Sequence, residues 1–116
     1  MDAQLDSLLT QRTALHARHD VLLLERDTLV ARRQEVLALR TEIHTQIRNK
    51  TPSQSVIERA HLRVRSHRTG EEIQEIDAKM REVQEREKVQ IQELEELDDQ
   101  IEESYKQLGK CCVASG

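Results

Sequence analysis

No phenylalanine and no tryptophan occur among the 116 residues, and there is a single tyrosine, so the large rings that usually fill a globular core are missing. A compact enzyme built around a pocket is not expected. One proline, Pro52, and three glycines leave little to interrupt long helices. The two cysteines, Cys111 and Cys112, are neighbours; a disulfide between them would be strained and would close no useful loop, so a disulfide scaffold is excluded and a reducing cytosol is the expected compartment. The longest unbroken aliphatic run is "VLLL" at Val21–Leu24, too short to span a bilayer. The opening "MDAQLDSLLTQR" is polar and amphipathic and does not read as a secretory leader. Cytoplasmic residence, with a cytoskeletal association as an option, follows as an expectation.

What is abundant points one way. Ala, Glu, Lys, Leu and Arg account for 55 of the 116 residues, a composition that with a seven-residue repeat belongs to coiled coils and long helices. Leu8, Leu15, Leu22, Leu29, Val36 and Ile43 recur every seven residues, each of Leu9, Leu23, Val30 and Leu37 following one of them directly. This stripe is broader than a simple two-stranded seam needs and predicts a helix of roughly 45 residues, about 70 Å long. After it, "NKTPSQS" suggests a break, with Thr51 as N-cap and Pro52 in the first turn of a new, short helix that ends where Gly70 allows a turn. From Glu71 to about Leu108 the heptads resume. Ile73, Met80, Glu87, Leu94, Ile101 and Leu108 form one seam row; Ile76, Val83, Gln90, Leu97 and Ser104 form the other. Glu87 and Gln90 make a polar layer of the kind that fixes register or oligomeric state at a cost in stability.

The organisation expected from sequence is therefore an all-α, elongated coiled coil. Residues 1–49 form a long basic amphipathic helix, 50–70 a Pro/Gly-bounded connector with a short helix, 71–108 an acidic heptad helix and 109–116 a flexible tail. Two long helices would fold back as an antiparallel hairpin through the connector. In the register expected from the heptads, Ile43 faces Ile76, Val36 faces Val83 and Leu22 faces Leu97, which puts Arg33 in one layer with Glu87.

Charge is the second pattern. Residues 1–70 carry 12 Lys+Arg and 8 Asp+Glu, a net +4, while residues 71–116 carry 6 and 14, a net −8. Opposed halves of this kind attract within a chain or between chains and set partner and register. Within the basic half a cation recurs with the heptad at Arg12, His19, Arg26, Arg33 and Arg40. In a parallel homodimer along that row each would face its own copy. In the expected hairpin only Arg33 finds an acidic seam residue, so the others must snorkel outward or reach carboxylates on another acidic helix. Arg12, His19, Arg26, Arg33, Arg40, Glu87 and Gln90 are thus the candidate partner-binding and seam residues.

Other motifs read more plainly. His16 and His19 lie one turn apart, but no carboxylate or cysteine motif of metal-site spacing accompanies them, so no metal and no cofactor is expected. No nucleophile–base arrangement is visible, and the many carboxylates read as solvated helix faces. The basic patch "ERAHLRVRSHR" at 58–68 precedes heptads, the order found in basic leucine zippers, yet those need an unbroken helix, which Gly70 is expected to interrupt, and an Asn for base reading is missing. No nucleic-acid partner is therefore expected, and a nucleic-acid-binding role comes third among the functions. Cys111 and Cys112, beside Lys106 and Lys110, fit reversible lipidation, which makes a peripheral membrane tether the alternative function, with membrane contact only if the tail is lipidated. The function expected first is a non-catalytic coiled-coil scaffold or adaptor subunit of a cytoskeletal or trafficking complex. Its expected partners are helical proteins with an acidic face, with homo-oligomerisation as a further option.

Overall fold

The computed structural model describes residues 2–49 and 55–115, with side chains described for 3–49 and 55–109. Two helices account for nearly all of it: α1, Asp2–Arg48, of 47 residues, and α2, Val56–Ser115, of 60 residues. No strand occurs among the described residues. The fold is all-α, and no described helix is long and apolar enough to cross a membrane.

α1 ends as the heptads require, its last backbone bond running from the Asn49 amide to the Thr45 carbonyl at 2.9 Å. The expected cap and first turn at Thr51 and Pro52 lie outside the described residues. α2 is instead capped at Ser55, whose Oγ accepts the Glu58 amide at 3.1 Å. This is the start of a Ser-x-x-Glu capping sequence, and the Glu58 carboxylate in the first turn also suits the positive end of the helix.

Gly70 does not interrupt the chain's helix, contrary to the expected turn; α2 passes through it. A glycine inside a helix costs about 1 kcal/mol relative to alanine, and here it lies among buried seam residues. Leu62, Thr69, Ile73 and Ile76 are all buried. Leu62, Thr69 and Ile76 also stand seven residues apart, so the heptad never loses phase at Gly70. The short middle helix and the acidic third helix are one element. α2 itself continues as helix to Ser115.

The chain divides into two compact units. The first comprises Met1–Leu24 and Gln84–Gly116. Its core is Leu8, Leu97 and Ile101, with Leu5 and Leu15 packed against them, and Leu22 is 1% exposed. The second comprises Glu25–Val83. There Val36, Ile73 and Ile76 form the core, with Leu29, Leu37 and Met80 against it; Ile43 and Val83 are buried as well. Within each unit the touching residues rise along α1 as they fall along α2. In the second, Arg33 meets Asp77 and His44 meets Ser66, eleven residues on along one helix and eleven back along the other.

These contacts correct the expected register. Val36 clusters with Ile73 rather than with Val83, and Arg33 bonds Asp77 rather than Glu87, a slide of ten residues along α2 in both cases. The cause is the connection. With α2 beginning at Val56, the chain between the helices is far shorter than the expected connector, and the reversal point moves toward the N-terminus.

Candidate protein-docking site

The heptad row of cations is in the structure a row of differently answered charges. In the first unit Arg12 Nε donates to Asp98 Oδ1 at 2.7 Å, and His19 Nδ1 meets Gln90 Oε1 at 3.2 Å, the ring nitrogen donating. The polar seam residue Gln90 thus shares a layer with His19. In the second unit Arg26 Nε lies 3.9 Å from Asp27, and Arg33 Nε donates to Asp77 Oδ1 at 2.7 Å. Off the row, Arg32 bridges Glu72 and Glu35. Hydrogen bonding to Glu72, and then to Glu35, raises the Arg32 guanidinium above its ordinary value; the bond to Asp77 does the same for Arg33.

The expected pairing of Arg33 with the seam residue Glu87 is therefore not what forms: Arg33 and Arg12 each find a carboxylate beside the seam, Asp77 and Asp98. The partners were missed because they are not seam residues. Asp77 follows the buried Ile76, and Asp98 follows the buried Leu97. A carboxylate one residue past a seam position lies at the edge of the seam, where a long guanidinium can reach it while its stem covers apolar surface. The signal was present in the sequence as the repeated pair of an aliphatic seam residue and an aspartate.

Arg40 breaks the pattern. The seam residue on its level is Thr69, the one buried polar residue among those described, whose hydroxyl donates back to the Ser66 carbonyl at 2.8 Å. The position after it, where Asp77 and Asp98 carry their carboxylates, is Gly70. A Cβ placed on Gly70 would stand 3.9 Å from Arg40 Nη2, so the guanidinium lies directly over the glycine. Among the described residues Arg40 makes no ion pair, and its Nε is buried without a hydrogen-bond partner. An open polar groove of about 490 Å³ runs here, lined by Arg40 together with Arg63, Ser66, His67, Gly70 and Glu71 of α2. Within it His67 Nε2 lies 2.9 Å from Glu71 Oε1, on an exposed surface.

The surroundings are basic. Residues 40–68 hold seven Lys+Arg (40, 48, 50, 59, 63, 65 and 68) against two carboxylates (42 and 58). Arg59, Arg63 and His67 follow one another at four-residue spacing and are all exposed, one stripe of a helix surface. Because α2 is continuous, the continuity argument against a basic-zipper reading falls. Leu62 of the same segment is buried and Ser66 bonds His44 of α1, so one flank of this helix is covered, unlike a segment that enters a DNA groove as a free helix.

The remaining sequence candidates are placed as follows. Glu87 and Gln90 are half-buried, and His16 is exposed. Among the described residues no group of three or more His, Cys, Asp or Glu side chains could hold a metal ion. Cys111 and Cys112 fall on the α2 backbone, their side chains outside the described ones. Neither a family model, nor a curated protein, nor a solved structure matches this chain.

Proposed function

We propose that the chain is a non-catalytic coiled-coil adaptor whose two helices pair along their length as an antiparallel hairpin and whose basic groove docks a helix with an acidic face, within an assembly of the cytoskeletal or trafficking kind. Arg40 carries this reading. A guanidinium held at the seam beside a glycine, with an unbonded Nε and no carboxylate on its level, is a charge left for another molecule to answer. Leaving a buried donor unsatisfied costs on the order of 1–3 kcal/mol, a cost with no structural return in the free chain. Rows of cations along a helix edge also serve partner choice and register more than stability.

The test is purification of the full chain with its cellular partner, followed by thermal unfolding of the pair. A docked acidic helix raises the melting temperature, and Arg40→Ala or Gly70→Asp removes the gain, the latter by supplying the absent carboxylate from within. Melting that is indifferent to every copurifying protein overturns the reading.

A further inference from the structure

We infer that the groove at Arg40 and Gly70 is a self-association site that receives the acidic stripe Glu95, Asp99 and Glu103 of a second copy of this chain. The inference rests on the adaptor reading above and names the occupant of its groove. Two stripes on the page match. Residues 93–103 contain seven carboxylates and no Lys or Arg. Leu97 and Ile101 turn one side of that segment into the core, while Glu95, Asp99 and Glu103 are exposed. Asp98 is taken by Arg12 and Glu102 by Lys106. Glu95, Asp99 and Glu103 have no hydrogen bond or ion pair among the described residues.

These three carboxylates stand four residues apart, as do Arg59, Arg63 and His67 beside the groove. Four residues of helix rise about 6 Å, so the two stripes can be brought into step over two turns. The three carboxylates, and Arg59 with Arg63, set like charges at i,i+4, which destabilises a helix slightly; joining the stripes relieves both repulsions. At the groove itself a carboxylate from the second copy would stand in for the side chain that Gly70 lacks and give the Arg40 guanidinium an acceptor. Each copy holds both halves of the contact, so association either closes as a pair or continues as a chain.

Light scattering and sedimentation of the full chain decide it. At about 20 mM salt and roughly 100 µM protein, the mass should exceed the 13.5 kDa of one copy, falling back to one copy near 0.5 M salt, where screening shrinks to a few ångströms. Arg63→Glu and Asp99→Lys, each on an exposed position that leaves helicity unchanged by circular dichroism, should each weaken association at least tenfold. Mixing the two variants should restore it, because each then meets either a native or an exchanged charge pair. Gly70→Asp should weaken it also, by occupying Arg40 from within. A chain that stays at one copy in low salt, an association that ignores salt, or variants that fail to complement each other when mixed would overturn the inference. A single-copy chain that still gains thermal stability from a foreign acidic helix would overturn the second-copy assignment while leaving the adaptor reading intact. A mobility shift with duplex DNA, lost in Arg63→Glu while the chain stays single, would give the groove to nucleic acid and overturn it likewise.

Discussion

In the unit built from residues 1–24 and 84–116, the seam cation Arg12 has Asp98 beside it; in the unit built from residues 25–83, the seam cation Arg40 has Gly70 at the corresponding place. Both belong to one heptad row, and each unit is cored by its own cluster of aliphatic seam residues. The difference is made by one position, the residue after the buried one on α2: aspartate after Leu97, glycine after Thr69. Surface charge follows the same division. The first unit carries 6 Lys+Arg and 12 Asp+Glu, the second 12 and 10. A heptad repeat thus sets where charges recur, and the neighbour of each seam residue sets whether they are answered at home.

The comparison breaks first at its common part. Leu97→Ala in the first unit and Ile76→Ala in the second should each cost about 2–4 kcal/mol in urea unfolding, the range for emptying a buried aliphatic site, whereas Val21→Ala, on a side chain 66% exposed, should change stability by no more than about 0.5 kcal/mol. A negligible loss at Ile76 would mean that the second unit is not cored by the Val36, Ile73 and Ile76 cluster.

Next in size is the start of α2. Ser55→Ala should cost about 1 kcal/mol by removing the cap on the Glu58 amide, while Ser55→Asp should keep most of it. An unchanged midpoint would place the helix start elsewhere and with it the register of the second unit.

Gly70→Ala should then stabilise by about 0.5–1 kcal/mol, since the helix continues through this position and the added methyl meets Arg40 Nη2 at 3.9 Å, an ordinary contact. A loss of stability would restore a turn at this glycine. Gly70→Asp separates the two roles, because only the carboxylate, and not the methyl, makes the second unit resemble the first.

The smallest effects belong to the ion pairs themselves. Arg12→Ala should destabilise slightly at low salt and not at all at high salt, because the pair with Asp98 is about half exposed on both sides and is screened. Arg40→Ala should leave the free chain unchanged or slightly more stable, as it deletes an unbonded donor. The pairs of Arg32 with Glu72 and of Arg33 with Asp77 should not make stability depend on pH near neutrality. Arg32 and Arg33 have raised values in the folded chain, so their contribution is complete below the ordinary guanidinium range and is lost only as pH rises through the raised values, in strong alkali. A change in unfolding free energy between about pH 7 and 9 that disappears in Arg33→Gln would contradict this.

Much of this architecture was legible. The α1 helix, the buried Leu8, Leu22, Val36 and Ile43, and both seam rows of α2 follow from seven-residue spacing, because a period of 3.5 residues has one physical use in a polar, ring-poor chain. The continuity of α2 is legible as well, in Leu62 and Thr69 keeping step with Ile76, because heptad phase outweighs the low helix propensity of one glycine. The unpaired state of Arg40 was not legible, because it depends on which residue of α2 lies opposite, and that is a matter of register.

The sequence by itself determined that this chain is helical, which face of each helix is apolar, and that cations and carboxylates recur in separate runs; periodicity and composition suffice for these because each concerns one helix. Register was decided only in the tertiary structure. Each helix has two seam rows, so the heptads interlock equally well with the Val36 row against either the Ile76 row or the Ile73 row, and local preference does not distinguish the two. The length of chain between α1 and α2 makes the choice, and with it places Asp98 beside Arg12, Asp77 beside Arg33 and Gly70 beside Arg40.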